Sequence, residues 1–312
     1  MARETQDNRI ARTAAEVWET TAQDAGELAF VSRILVQAFL PHSDPKALGW
    51  SKKNGNFMLS VKSGIGENHK GEFIPYGVPY GTIPRLILAW LNSEAIRNEQ
   101  DKENTAPHVI SLGRSLSEFL EKIGIDKSGG KKGGITRFKT QAERLFRAEI
   151  SVTCTGENYL AERDIKISDG RFFFWDSKEP EQQTLWENSI ELSDRFYKLL
   201  VNNPVPLDWR VLKAIKQSPM ALDLYMWLTH RISYLQKPVA IKWDTLKQQL
   251  GAEIENERMF KYQVRKHLIK IQVIWHDLKI DISRPDVTCL YPSPLLIGQS
   301  RPKLKKLACL KP

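Results

Sequence analysis

The residues of this chain with the most chemistry in their spacing are cations. Over residues 255–271, Phe260, Val264, Leu268 and Ile271 recur at helical intervals on one face. Arg258, Lys261, Arg265, Lys266 and Lys270 spread over the other, with Tyr262 and Gln272 among them. Lys and Arg on an exposed helix neutralise phosphates at a groove rim, and Arg reads guanine edges in bidentate fashion. Tyr262 could donate to a phosphate or pack on a thymine methyl. The alternative is an ordinary solvated basic face. A second such helix is predicted over 135–149, with Phe138, Ala142, Leu145 and Phe146 inward and Arg137, Thr140, Arg144 and Arg147 outward. That outward row would serve a DNA backbone or a protein interface. Between 128 and 134 lie four glycines with Lys131 and Lys132. Gly129 and Gly134 have P-loop spacing, but Ile135 stands where that motif needs lysine. The segment reads as a flexible basic loop near a phosphate backbone, or as a plain connector.

These helices must be positioned by something, and the chain repeats the frame that does it. Phe138-Lys139-Thr140-Gln141 and Phe260-Lys261-Tyr262-Gln263 share Phe-Lys-x-Gln. Upstream of each lies an amphipathic run ending in glycine: Phe119, Ile123, Gly124 and then Leu246, Leu250, Gly251. Downstream of each lies a strand-like stretch. A short helix, a turn, a second helix with a basic face and a following hairpin is the order of a winged helix-turn-helix unit.

Charge is concentrated in the same two places. The chain has 312 residues and a formal net charge of +9. Residues 127–147 carry seven Lys/Arg against one acid, and residues 254–312 carry twelve against five. This favours nucleic acid as partner. No apolar run spans a bilayer and the N-terminus is polar, so no membrane role is expected. Cys154, Cys289 and Cys309 are odd in number and far apart, which fits a reducing cytoplasm. The six histidines include no His-x-His pair, and no Cys/His set has zinc spacing. No catalytic residue, metal or cofactor is therefore expected.

The predicted elements are a frayed tail to residue 26 with a short helix at 14–18, a docked apolar segment at 28–40, and a loop-like stretch at 41–81 with a strand at 57–61. Helices follow at 82–97, capped by Thr82, and at 115–123, capped by Ser115, with a strand between them at 108–112. The first wing is expected from 150–155 and 163–175. Helices are expected at 193–201, at 208–216 and at 220–235, the last apolar all round and so buried. A strand at 239–242, helices at 244–250 and 255–271, and a second wing from 273–283 and 287–291 complete the body. Trp175, Trp186, Trp209, Trp227 and Trp243 read as core. The fold class is α+β: two tandem winged-helix domains, mainly helical with small β-hairpin wings. The divisions are an N-terminal extension at 1–75, partly flexible, domains at 76–180 and 181–295, and a basic tail at 296–312.

Several longer stretches, Tyr80 to Trp90, Ile110 to Leu120, Gly133 to Phe146, Pro204 to Asp208, Ser218 to Thr229 and Arg231 to Tyr234, resemble in order the motifs of RepA-type plasmid replication initiators. The likeness covers about residues 75–295. It implies tandem winged helices that bind repeated origin sites (iterons) in double-stranded DNA, help open the origin, and recruit the host initiator and helicase. It also implies a monomer–dimer equilibrium, with dimer contacts on the first unit and site reading on the second. A winged-helix transcriptional repressor is the competing expectation, and a nicking enzyme is disfavoured by the missing His-x-His pair.

Overall fold

The computed structural model describes residues 5–37, 40–67, 70–155, 160–172, 188–202, 204–250 and 253–297. The chain opens with α1 (Gln6–Glu19), β1 (Leu28–Ser32) and α2 (Arg33–Gln37), then β2 (Gly49–Asn54), β3 (Phe57–Lys62), β4 (Ile65–Glu67) and β5 (Phe73–Pro75). Next come α3 (Thr82–Gln100), β6 (Val109–Gly113), α4 (Leu116–Lys122), α5 (Gly134–Arg147), β7 (Glu149–Thr155), β8 (Leu160–Lys166), β9 (Ser168–Phe172) and β10 (Asn188–Leu192). The rest is α6 (Asp194–Val201), β11 (Pro204–Asp208), α7 (Trp209–Ile215), α8 (Pro219–Ser233), β12 (Val239–Lys242), α9 (Trp243–Leu250), α10 (Glu257–Ile274), β13 (Ile280–Asp281) and β14 (Val287–Leu290). Chemically apt caps set many starts. Ser115, Ser193, Asp208, Ser218 and Asn256 each accept a backbone N–H from the first turn that follows, a contact generally worth about 1 kcal/mol.

One order of elements occurs twice. Helix, strand and two helices are followed by strands in α3–β6–α4–α5–β9–β10 and again in α8–β12–α9–α10–β13–β14. The sheets match too, with antiparallel orders β6-β10-β9 and β12-β14-β13. In each, the strand before the helix pair lies beside the last strand. The two Phe-Lys-x-Gln stretches fall near the starts of α5 and α10, and Phe138 and Phe260 are both buried. The first copy carries an extra hairpin, β7–β8, which extends a four-stranded sheet β2-β3-β7-β8.

Several expectations change. The frayed tail is a 14-residue helix that packs α1 on α7 and α10 through Ile10, Thr13 and Val17. Arg210 holds its last turn, donating to the Glu16 and Thr20 carbonyls at 2.9 and 2.8 Å. The stretch 41–81 contributes four strands, of which β3 matches the strand expected at 57–61; in the β2–β3 hairpin, Trp50, Phe57, Leu59 and Val61 pack on the core while Ser51, Lys53 and Asn56 face out. Gly81, not Thr82, caps α3, at φ +78 and with no side-chain bond. α10 runs through Val273, where a wing strand is predicted, because Ile271 and Ile274 continue its buried face. The hairpin read at 150–155 and 163–175 divides, with β8 on β7 and β9 on β10. Trp209, Trp227 and Trp243 are buried as expected. Gly251, Trp175, Trp186, the 180/181 division and the tail from 298 lie outside the described residues.

α3 and α8 are the two buried rods, and a charge cluster joins them. Arg85 on α3 donates Nε to Asp223 Oδ1 at 2.6 Å and Nη2 to Asp223 Oδ2 at 2.8 Å. Its remaining donors reach the carbonyls of Leu40, Pro41 and Gly81. His42 Nε2 lies 2.7 Å from Asp223 Oδ2. Arg85 is 4% exposed and Asp223 0%. Each unit thus supplies one partner of a fully desolvated bidentate pair. Both residues lie in the motifs Tyr80–Trp90 and Ser218–Thr229, yet neither sequence pattern reveals the pairing.

Candidate nucleic-acid interface

α10 is held by its apolar face and by Trp243 at the start of α9. Trp243 meets Phe260 edge-on at 6.4 Å and lies under Arg265 at 5.3 Å and Lys261 at 5.9 Å from its ring centre. Arg265 donates Nε to the Ile282 carbonyl at 2.9 Å and Nη2 to the Arg284 carbonyl at 3.2 Å, tying α10 to the turn between β13 and β14. Lys261 pairs with Glu257 at 2.5 Å. Lys270 pairs with Asp7 at 3.1 Å and donates to Gln6 Oε1 at 2.8 Å, so α1 covers it. Arg258, Tyr262 and Lys266 stand exposed. His267 is buried with Nε2 3.1 Å from Ser218 Oγ. Burial, helped by Lys266 and Lys270, brings its pKa down to about 4, so it adds no charge at neutral pH.

α5 is anchored by Phe138, Leu145 and Phe146, with Phe138 against Phe119 at 5.6 Å and Phe119 against Trp90 at 4.8 Å. Two of its four expected outward residues turn to the protein. Arg144 pairs with Asp44 at 3.0 Å, donates to the Val78 carbonyl at 3.2 Å and lies over Tyr80 at 5.2 Å. Gly77, at φ +89, makes room for it, since a Cβ there would sit 2.9 Å from the guanidinium carbon. Burial would raise the Asp44 carboxyl, but bonds from the Lys46 amide and Arg144 outweigh this and hold it below the usual range. Arg147 lies 4.3 Å over Tyr76 and pairs with Glu143 at 2.8 Å. Arg137 and Thr140 remain exposed, Thr140 Oγ1 bonding the Thr136 carbonyl at 3.0 Å.

The glycine-rich segment before α5 is wound rather than loose. Ser128 Oγ accepts from Gly134 N at 3.0 Å, the Ser128 carbonyl from Ile135 N at 3.2 Å, and the Gly130 carbonyl from Gly133 N at 3.1 Å and Thr136 Oγ1 at 2.8 Å. A Cβ on Gly134 would fall 1.7 Å from the Asp126 carbonyl oxygen, which explains the glycine. The winding holds Lys131 and Lys132 outward. It also walls a cavity of about 940 Å³ lined by Arg9, Lys127, Lys132, Arg137 and Lys216 against the acids Glu121 and Asp126. Lys127 pairs with Glu121 at 3.0 Å. Sequence reasoning missed Arg9 and Lys216, because they come from α1 and from just beyond α7. The excess of cations from separate elements suits a phosphate backbone. Among the described residues, no His/Cys/Asp/Glu group could hold a metal, and no helix is long and apolar enough to cross a membrane.

The geometry separates props from contacts in a way that melting experiments can check. Arg265→Ala removes two charge-assisted bonds and is expected to cost about 1–3 kcal/mol of stability. Lys266→Ala, on an exposed position of the same helix, is expected to stay within about 0.5 kcal/mol of the parent. Equal melting temperatures for the two variants would show that the Arg265 bonds do not hold the turn.

Two crystal structures of domains 2 and 3 of RctB superpose on the chain with TM-scores of 0.52 and 0.50, each at 11% identity. The first match covers 84% of this chain and 99% of that one, the second 83% and 96%. At that identity the likeness speaks for the fold alone. No curated protein matches the sequence. The family model described as plasmid encoded RepA protein matches residues 78–245, a span that takes in α3 to β12 and the start of α9, both members of the Arg85–Asp223 pair and the whole basic cavity except Arg9. With more than half of its length so matched, the chain belongs to the plasmid-encoded RepA protein family.

Proposed function

We propose that this chain is a plasmid replication initiator without catalytic activity, which grips duplex origin DNA with two winged-helix units. The observation that carries the reading is the twofold recurrence of one element order and one sheet order, in which the third helix of each copy bears the cations. A helix so placed, followed by a hairpin, is the arrangement that lays its outward face in a major groove. In this reading α10 reads repeated sites through Arg258, Tyr262 and Lys266, with Arg265 and Lys261 as its props. α5 and its preceding loop follow the backbone through Lys131, Lys132, Arg137 and Thr140. The basic cavity seats phosphates between the two grooves. Arg144 and Arg147 set the pose of α5 rather than touching DNA.

The family and this geometry together support iterons as the bound sites, opening of an adjacent AT-rich region, and recruitment of a host initiator and helicase. Family membership also favours a monomer–dimer equilibrium, repression of the protein's own gene and a bacterial cytoplasmic location. The test is a footprint of the purified protein on its own plasmid's origin at about 150 mM salt, near the physiological screening regime. Protection phased across tandem direct repeats is expected. Protection confined to one inverted repeat at a promoter would make the protein a repressor instead. A parallel nicking assay on supercoiled origin DNA with Mg²⁺ or Mn²⁺ is expected to leave the DNA uncut.

A further inference from the structure

The outward face of α10 is not uniformly charged. Met259, Tyr262, Ile269 and Val273 are 49%, 57%, 56% and 50% exposed, while Phe260, Val264, Leu268 and Ile271 on the opposite face are buried. At 100° per residue those four fall in one narrow strip, with exposed Lys266 in its middle. Arg258 and Arg265 border the strip on one side, and Gln263 and Lys270 on the other. Single exposed apolar side chains need no explanation, but a strip of four on one helix does. Its borders indicate what covers it. Exposed Arg258 at one edge and exposed Lys266 within the apolar row match a major groove, which has phosphates on each wall and base edges on its floor. The one apolar group on that floor is the C5-methyl of thymine.

We infer that the apolar strip of α10 reads thymine methyl groups, with Tyr262 and Ile269 as the specificity-determining pair. The inference rests on α10 being the groove helix. Seven residues separate the pair, which at 1.5 Å per residue is about 10 Å along the helix. That equals about three base-pair steps at 3.4 Å per step. The preferred site therefore carries two thymines about three positions apart, one under each side chain. Lys266 lies between them and reaches a guanine edge or a phosphate.

The test uses the full chain and a duplex repeat from its origin, with single thymines replaced one at a time by deoxyuridine, which removes only the methyl. Binding is compared with the unsubstituted repeat and with a random duplex. Affinity is expected to fall about fourfold at each of two positions roughly three base pairs apart, the worth of one buried methyl. Ile269→Ala, at an exposed position that leaves folding intact, is expected to bind the thymine duplex more weakly and to lose nothing further on the uracil duplex at its own position. This is the signature of a shared contact in a double-mutant cycle. Specific binding that no uracil weakens would overturn the inference and leave the proposed function standing. Equal further losses for Ile269→Ala on both duplexes would likewise overturn it. Failure to distinguish the unsubstituted repeat from random duplex would instead remove the proposed function, and the inference with it.

Discussion

Asp223→Ala is expected to destabilise the chain by about 3–5 kcal/mol, the usual consequence of stranding one member of a buried ion pair. The loss is large because Arg85 has nowhere to go. It is 4% exposed, and its other donors are fixed on the carbonyls of residues 40, 41 and 81. Lys52, also buried, donates to the Gln249 carbonyl at 3.1 Å and already sits near this cation. Urea titrations of Asp223→Ala, Arg85→Leu and the double variant check the argument. The double variant is expected to be less damaged than the sum of the singles, since it no longer strands the Arg85 guanidinium. Additive losses would mean that the two residues do not act as a pair.

The same cluster gives a pH dependence with a definite sign. Burial alone would raise the Asp223 carboxyl, but Arg85 and His42 outweigh it and hold it below its ordinary value. A depressed carboxylate stabilises the fold above its unfolded value, and that contribution is lost only as pH falls through the still lower folded value. Lys52 behaves oppositely. Burial brings it from 10.5 to about 7, with Arg85 adding to the fall and Asp223 opposing it. Between those values the unfolded chain holds a proton that the folded chain lacks, so stability declines as pH falls from 10.5 towards 7. Lys52→Met is expected to flatten that decline, and melts at about pH 7 and 9.5 would measure it.

The elements that the sequence discloses are those whose signal is local. α8 is apolar all round, Ser115, Asp208 and Ser218 stand where caps are needed, and α10 has a clean 3.6-residue period. α1 is foreseen only over 14–18, because its three buried positions, Ile10, Thr13 and Val17, are diluted among eleven others that are mostly polar. The strand expected at 57–61 is β3, but its partner β2 at 49–54 escapes, because the sheet they share is completed by β7, almost a hundred residues later. Site residues follow the same division. Periodicity puts Arg144, Arg147 and Arg265 on outward faces, but it is silent about what distant chain covers those faces. Asp44, Tyr76 and the Ile282 carbonyl are supplied from elsewhere, and they turn three cations from candidate contacts into supports. Arg9 and Lys216 run the other way, reaching the basic cavity from elements whose own sequence carries no binding pattern.

Affinity for origin DNA is expected to fall on the order of a thousandfold between about 50 and 200 mM salt. The magnitude follows from which cations remain available. Lys261, Arg265 and Lys270 on α10 and Arg144 and Arg147 on α5 are held by protein partners or aromatic rings. Arg258, Lys266, Lys131, Lys132 and Arg137 are exposed, and Arg9 lines the cavity. About six phosphates neutralised by this set give a log–log salt slope near −5 at about −0.9 per contact. Lys132→Ala is expected to reduce the slope by about 1 on specific and random duplex alike, the behaviour of a backbone contact. Arg144→Ala is expected to leave the slope unchanged, because its charge is already spent on Asp44. Fluorescence anisotropy titrations at four or five salt concentrations are sufficient. A parent slope near −2 would mean that DNA touches α10 alone, and the two-unit grip would fall, since only a duplex lying across both units meets the cations of α10, the loop before α5 and the cavity together.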